Sequence, residues 1–273
     1  MSIRLVAGSV HREDDYVLSP RRMEALWEME DRHFWHRARN AWIVHALSFY
    51  GVEPPSRVLE VGCGSGVVAR ALLAAGYRVT GVDTAEVLVR KAVERCPAGS
   101  FVVGEVSRLP AEDQGPYRAV GVFDVLEHLD RPDALLRDCV RWLEPGGLVV
   151  ATVPALRALF GIVDQVSGHK RRYEPGEVAT LFREVGIEPL AEHGIFRLTL
   201  PFLRGFRRRF SEEERRELSP AERDDVLRKY FRVPPAWLNG PLRGLCDLER
   251  RLAFRASAGR PGPTLLALGR VGA

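Results

Sequence analysis

The sequence is organised around the stretch Arg57-Val58-Leu59-Glu60-Val61-Gly62-Cys63-Gly64-Ser65-Gly66. Apolar and β-branched residues dominate its first half, which predicts a short buried strand over Val58–Val61. After the glycines at alternate positions, the run Val67–Ala75 predicts a helix that Gly76 ends. A strand, a glycine turn and a helix start present a ligand site, because glycine tolerates positive φ and the helix start leaves N–H groups unpaired.

The glycine spacing separates two kinds of nucleotide site. A dinucleotide-binding turn has the pattern G-x-G-x-x-G, whereas Gly62, Gly64 and Gly66 form G-x-G-x-G after the acidic Glu60. This arrangement resembles motif I of the class I S-adenosyl-L-methionine (SAM)-dependent methyltransferases. The alternative is a tight strand-to-helix turn that binds nothing, and matching features downstream argue against it.

Length, composition and charge restrict the classes of fold and function that this chain can have. The 273 residues accommodate one α/β domain with additional segments. No apolar run reaches the roughly 18–20 residues needed to span a bilayer. The four cysteines are far apart, which predicts reduced thiols in a cytoplasmic protein and no metal site. The net charge of +4 and the pI of about 9.0 mildly favour anionic partners.

The alternation of strands and helices predicts the domain organisation. We expect a flexible arm over 1–20, a helical cover over 21–55 and a SAM-binding core over 56–193. A helical insertion over 194–262, long enough to form a lid, precedes the final core strand over 263–273. The fold class is α/β, and the resemblance implies a Rossmann-like sheet of seven strands whose last strand is antiparallel.

The elements outside the glycine turn follow from periodicity and breakers. Strands are predicted over 77–82, 101–103, 117–123, 148–153, 187–192 and 264–270. Helices are predicted over 21–50, with a joint between two helices at His33–Asn40, and over 84–95, 133–143, 175–185, 211–218 and 242–254. Pro154–Val166 is expected to be an irregular apolar loop at the carboxyl edge of the sheet.

Asp83 ends the predicted strand over 77–82, 21 residues after Gly62. In doubly wound sheets an acid at this place accepts hydrogen bonds from ribose hydroxyls, about 20 residues past the glycines. The structural alternative is that Asp83 or Thr84 caps the following helix.

Further segments extend the resemblance to these methyltransferases: Phe34–Arg39 (FWHRAR), Phe123–Leu129 (FDVLEHL) and Glu144–Pro154 (EPGGLVVATVP). It implies that Trp35 covers the cofactor and that Arg39 pairs with its methionine carboxylate. It also implies that an acid after the third strand receives the adenine amino group, where this chain has Glu105 instead of the usual aspartate. The full set of implied SAM contacts is Trp35, Arg39, Glu60, Gly62, Cys63, Gly64, Asp83, Thr84, Glu105, Val106, Phe123, Asp124 and His128.

Two histidines, His128 and His169, are candidates for the catalytic base, because a neutral imidazole accepts a proton near pH 7. The basic run Lys170–Arg172 follows His169, and like charge is expected to lower the pKa of that imidazole. A structural, hydrogen-bonded role remains open for either histidine. The predicted substrate-binding residues, suited to an anionic acceptor, are Arg171, Arg172 and Tyr173.

The favoured function is methyl transfer to oxygen or nitrogen of a small molecule, a secondary metabolite or glycan precursor, with S-adenosyl-L-homocysteine as product. One alternative is an RNA methyltransferase, which the basic pI favours and the lack of an appended RNA-binding module argues against. The other is a non-catalytic SAM-binding protein. Peripheral membrane contact through Phe202, Phe206 and Phe210 is a further hypothesis, whereas acceptor identity and oligomeric state stay open.

Overall fold

The computed structural model describes residues 4–5, 20–207, 218–219, 222, 225–226, 228–229, 232–256 and 260–272. Its strands are β1 (Arg4–Leu5), β2 (Arg57–Val61), β3 (Arg78–Asp83), β4 (Ser100–Val103), β5 (Tyr117–Phe123), β6 (Leu143–Pro154), β7 (Ile187–Ile195) and β8 (Thr264–Val271). Its α-helices are α1 (Pro20–Arg32), α2 (Phe34–Phe49), α3 (Val67–Ala74), α4 (Glu86–Arg95), α5 (Pro132–Val140), α6 (Ile162–Val166), α7 (Glu177–Glu184), α8 (Leu200–Arg207) and α9 (Ala236–Ala256).

The strands form one sheet in the order β1-β4-β3-β2-β5-β6-β8-β7. Strand β8 runs antiparallel to both neighbours, whereas the pairs from β1 to β6 are parallel. The predicted α/β fold, with seven core strands and an antiparallel last strand, is therefore confirmed. The chain order reverses between β2 and β5, and in such sheets ligands bind beyond the carboxyl ends of the strands at this switch point.

Strand β2 buries apolar side chains on both faces of the sheet, which suits its central position. Val58 packs in the cluster that contains Trp42 and Leu72 from α2 and α3, whereas Leu59 packs in the cluster of the opposite face. Both side chains are fully buried, as expected for a strand covered on two sides. Because side chains alternate, Glu60 lies on the same face as Val58, towards α2 and α3.

The N-terminal arm and the loop after β6 differ from their predicted form. Within the arm expected over 1–20, Arg4–Leu5 is a strand that pairs with β4, and Arg4 contacts Asp113 at 2.7 Å between Nη2 and Oδ1. The rest of the arm lies outside the described residues, apart from Pro20 in α1. In the loop expected over Pro154–Val166, the last residues form α6, where the Asp164 carboxylate accepts the Gly161 N–H at 2.9 Å.

The described part of the insertion packs along the N-terminal helices. In α9, Phe254 packs on Trp42 of α2 with ring centroids 5.1 Å apart. Asn239 accepts the Phe34 N–H and donates to the Arg32 carbonyl, both at 2.9 Å, which fastens α9 to the α1–α2 joint. The predicted helix over 211–218 lies outside the described residues except for its last residue. A lid over the acceptor remains a prediction, and no described helix is long and apolar enough to cross a membrane.

Candidate active site

The turn from β2 into α3 depends on glycine at each of its key positions. Gly62, Gly64 and Gly66 have φ of +73°, +49° and +78°, a region that other residues rarely adopt. A Cβ at Gly62 would lie 2.4 Å from Cγ2 of Val125, whereas one at Gly64 would meet nothing within 4 Å. The turn therefore approaches the loop after β5 closely at one end and leaves open space at its middle.

Asp83 connects this turn to the end of β3. Its Oδ2 accepts the Gly64 N–H at 2.8 Å and its Oδ1 accepts the Ala85 N–H at 2.9 Å. Helix α4 has Ala85 as its N-cap and no side-chain capping bond, so the Ala85 contact orders the turn before α4 and the Gly64 contact orients the glycine turn. Binding of ribose hydroxyls by the same carboxylate stays a prediction.

Glu60 lies beneath the turn with 2% of its surface exposed, and its Oε2 has no hydrogen-bond partner among the described residues. Burial raises the pKa of Glu60 to about 8, so the carboxyl is mostly protonated at neutral pH. This side chain borders a cavity of about 140 Å³. The cavity is lined by Glu30, His36, Arg39, Glu60, Gly62, Cys63, Gly64, Ser65, Val67, Val68 and Phe123.

The N-terminal helices line one side of this cavity. Ser65 in the glycine turn donates to Oε2 of Glu30 in α1 at 2.6 Å, and Arg95 donates to the same oxygen at 3.1 Å. Asn40 in α2 donates to the Val67 carbonyl at 2.9 Å, at the start of α3. Sequence reasoning missed Glu30 and Ser65, although the position of Glu30 shortly before the FWHRAR segment was a usable signal.

Arg39 forms an ion pair with Asp124 at the carboxyl end of β5. Its guanidinium also lies over the Trp35 ring, 4.9 Å from the centroid. Asp124 has a φ of +55°, and its Oδ1 accepts the Thr152 hydroxyl at 3.1 Å. A non-glycine residue in this region is strained, and such strain clusters at functional sites. The arginine predicted to bind a ligand carboxylate thus has a carboxylate partner within the chain.

The two candidate bases lie together beyond β5. Their rings are 4.9 Å apart and nearly perpendicular. His128 Nδ1 is 3.1 Å from the Gly168 carbonyl oxygen, and His169 Nδ1 is 3.0 Å from Oδ1 of Asp164. His169 Nε2 faces Oε1 of the fully buried Glu127 at 3.9 Å. Sequence reasoning singled out both histidines but not Glu127, which stands directly before His128 in the quoted FDVLEHL segment.

The structure corrects two of the three predicted substrate-binding residues, Arg172 and Tyr173, whereas a substrate contact by Arg171 stays a prediction. Arg172 and Tyr173 are buried, at 6% and 5% exposure, so they do not face an acceptor. Arg172 donates to Asp164 at 2.8 Å, and the Tyr173 hydroxyl donates to the Leu126 carbonyl at 3.1 Å. Half-buried Arg171 donates to the Leu129 carbonyl at 2.9 Å. These side chains hold their loop against the sheet.

The positive charge expected to act on His169 is also paired. Arg172 binds Asp164, and the Lys170 ammonium lies 2.6 Å from Oδ2 of Asp130. Asp164 positions His169, and the sequence did not single out this residue.

A family model described as a methyltransferase domain matches residues 34–201, more than half of the chain. The chain belongs to this family. Its members are class I SAM-dependent methyltransferases, and SAM is their cofactor.

Individual relatives agree with this assignment. A ubiquinone biosynthesis O-methyltransferase from Maricaulis maris is 30% identical over 156 residues, which are 51% of this chain and 61% of that protein. One from Bordetella pertussis is 29% identical over 185 residues, or 62% and 76% of the two chains. Alignments with the Maricaulis and Xanthomonas oryzae relatives span only 61% and 47% of those proteins. A Haloferax volcanii putative methyltransferase in complex with the Trm112 activator shares the fold, with a TM-score of 0.55, 23% identity and coverage of 91% and 93%.

The residues of this methyltransferase domain fit the cofactor at the glycine turn. The open space at Gly64, the unpartnered oxygen of Glu60 and the cavity that both border provide polar groups and space for part of the cofactor. Phe123 and Cys63 line the same cavity. Of the remaining predicted contacts, Thr84 is half-buried, Val106 is buried and the Glu105 side chain is 48% exposed beside Ser107. Adenine recognition by Glu105 stays a prediction.

Replacing Asp83 by alanine is expected to weaken SAM binding by roughly 1–3 kcal/mol, because ribose hydroxyls would be left without an acceptor. Titration calorimetry with SAM and S-adenosyl-L-homocysteine measures the change. Asp138→Ala, on the exposed side of α5, is the control and should bind as the parent does. Unchanged affinity in a folded Asp83→Ala variant would show that the ribose lies elsewhere.

Proposed function

We propose that this methyltransferase transfers the methyl group of SAM to a hydroxyl oxygen of a small-molecule acceptor. The observation that carries the proposal is the pair of oriented imidazoles, His128 and His169, beyond the carboxyl end of β5. A hydroxyl must lose its proton to become a good nucleophile, and an imidazole at this place serves that need. The names of the curated relatives, which are O-methyltransferases, support oxygen as the acceptor atom.

The hydrogen-bond partners of the two imidazoles indicate which ring nitrogen carries the proton. A carbonyl oxygen only accepts hydrogen bonds, so the 3.1 Å contact with Gly168 places the proton of His128 on Nδ1. Asp164 orients His169 through Nδ1 in the same way. Burial, followed by the charge of His169, lowers the pKa of His128, which favours the neutral form. In both rings the proton-accepting nitrogen is then Nε2.

The cofactor side of the site is organised by the chain's own contacts. Bound SAM supplies an electrophilic methyl group on a sulfonium centre. Gly64 and Asp83 present the backbone and carboxylate that suit its nucleoside end. Arg39, with Asp124 and Trp35, forms the wall between α2 and β5. The Glu30–Ser65 contact holds α1 over the turn.

A small-molecule acceptor is favoured over RNA because three of the described basic side chains around the site are paired with carboxylates. Lys170 pairs with Asp130, Arg172 with Asp164, and Arg131 with Asp133. RNA binding depends on cations that are available to phosphates. An acceptor enclosed between α2, the loop after β5 and the loop before α7 is consistent with this pattern of paired charge.

The function is tested by incubating the full chain with methyl-labelled SAM and a panel of acceptors. The panel contains phenols, catechols, sugar hydroxyls, primary amines and bulk RNA. We expect label on a hydroxyl compound and none on RNA. Label confined to amines or RNA would contradict the proposal, as would SAM binding without transfer to any member.

A further inference from the structure

We propose that Glu127, His128 and His169 form a binding site for one divalent transition-metal ion, of which Zn²⁺ suits the ligands best. Each residue offers one ligand atom, and these atoms all lie within 4.8 Å of one another. The sequence pattern predicted no metal, since the ligands come from two separate loops without a metal-binding spacing. The site deepens the proposed function, on which the chemical role of the ion rests.

Glu127 is the observation that points most directly to a cation. Its side chain is fully buried, and neither carboxylate oxygen has a hydrogen-bond partner among the described residues. Its main chain is fixed, because its carbonyl accepts the Lys170 N–H at 2.9 Å. Buried polar atoms are normally satisfied, so two unpartnered oxygens on one carboxylate call for a ligand. A positive ion bound at this point satisfies them.

The two histidines are oriented as metal ligands are. Metal-binding histidines usually donate their other ring N–H to a carboxylate or a backbone carbonyl, which fixes the tautomer. His169 has the carboxylate of Asp164 on Nδ1 at 3.0 Å, and His128 has the Gly168 carbonyl at 3.1 Å. In each ring Nε2 is thereby left as the ligand nitrogen.

The spacing of the ligand atoms fits a bound ion better than a direct contact. His169 Nε2 and Glu127 Oε1 are 3.9 Å apart, too far for a hydrogen bond. Two ligand atoms of a tetrahedral zinc ion, each about 2.0–2.2 Å from it, lie roughly 3.4 Å apart. The observed 3.9 Å, in a set whose atoms all lie within 4.8 Å, therefore requires a small inward movement of the side chains when the ion binds.

The support behind His169 is rigid. Asp164 is fully buried and accepts from Arg172 at 2.8 Å and from the Gly161 N–H at 2.9 Å. The carboxylate that orients the imidazole is thus itself held from two other directions. Such outer partners change metal affinity roughly 10- to 100-fold when removed.

The donor set indicates the type of ion and its chemistry. Two imidazoles and one carboxylate resemble catalytic zinc sites that keep an open position, whereas Mg²⁺ and Ca²⁺ prefer oxygen ligands alone. An acceptor hydroxyl bound at the open position would lose its proton to solvent near neutral pH, because the ion lowers the pKa of a coordinated oxygen. The ion would thereby take over deprotonation from the imidazoles.

Metal binding is measured directly on the full chain after dialysis against a chelator. Calorimetric titration with Zn²⁺ should show one ion per chain, and Co²⁺ should give visible absorption bands from the same site. Glu127→Gln and His169→Gln should each weaken Zn²⁺ binding at least roughly 100-fold, more than the loss of an outer partner does. His45→Gln, the same substitution at a half-buried histidine of α2, should bind as the parent does.

The proposal is overturned if the parent binds no stoichiometric Zn²⁺, or if folded Glu127→Gln and His169→Gln variants bind it as tightly as the parent. Thermal unfolding of each variant establishes that it is folded. The two proposals fail separately. Full methyl transfer by a parent protein that binds no metal would remove the metal site alone. Zn²⁺ binding without transfer to any acceptor would retain the metal site and remove the function.

Discussion

Replacing His169 by glutamine is expected to lower the methyl-transfer rate by roughly 10²–10⁴-fold, the usual contribution of a positioned base. The amide cannot accept the acceptor's proton at neutral pH, although it keeps much of the volume of the imidazole. It also removes one of the three proposed metal ligands, so the loss is expected with or without a bound ion. SAM affinity should not change, because His169 does not line the cavity at the glycine turn. Turnover is measured under saturating SAM, and SAM affinity by calorimetry.

His45→Gln again serves as the matched control and should retain the parental turnover. His128→Gln is expected to lower turnover and, because His128 is one of the predicted SAM contacts, SAM affinity as well. If His169→Gln turns over at the parental rate, His169 is structural and His128 is the remaining candidate.

Replacing Glu60 by glutamine is expected to remove a loss of stability that the parent shows as the pH rises. Burial raises the pKa of Glu60 to about 8 in the folded chain, against 4.5 for the ordinary group. Between these values the unfolded chain has released the proton and the folded chain still holds it. The free energy of unfolding therefore falls by up to about 1.4 kcal/mol per pH unit over this range, several kcal/mol in all. Below the lower value both states are protonated, and the effect is absent.

The measurement is denaturant unfolding of parent and Glu60→Gln at several pH values, because the difference between the two isolates this group. The free energy of unfolding of the variant, relative to that of the parent, should rise steadily from about pH 5 to pH 8. Glu105→Gln, at a side chain that is 48% exposed, is the control. Its free energy of unfolding should change with pH in the same way as that of the parent. Parallel curves for Glu60→Gln and the parent would mean that this carboxyl is ionised in the folded protein.

Much of the fold was predictable because its signals are local. The strand Tyr117–Phe123 has its predicted bounds, and β2, α3, β3, α4 and β8 lie within two residues of theirs. An alternation of apolar side chains or a glycine that needs positive φ acts over a few neighbouring residues. The glycine turn and Asp83 were predictable for the same reason, because their spacing along the chain sets their spacing at the edge of the sheet.

In the loop after β6, the sequence did not predict which way the side chains face. Sequence suggested that Arg172 and Tyr173 face a substrate, because a basic and aromatic run next to a catalytic edge suits an anion. The structure turns both inwards, to Asp164 and the Leu126 carbonyl. Whether a charge faces solvent, a ligand or another charge depends on the opposite charge that folding brings within reach. That information is spread over distant parts of the chain.

The sequence by itself determined the α/β sheet, the methyltransferase family and the glycine turn, because periodicity, breakers and φ preferences are properties of neighbouring residues. Only the tertiary structure decided which groups meet. Arg39 joins Asp124 across 85 residues, Ser65 joins Glu30 across 35, and His128 approaches Gly168 across 40. The unpartnered carboxylate of Glu127 beside two oriented imidazoles arises from the same long-range packing, since no local pattern records which atoms a buried group leaves without a partner.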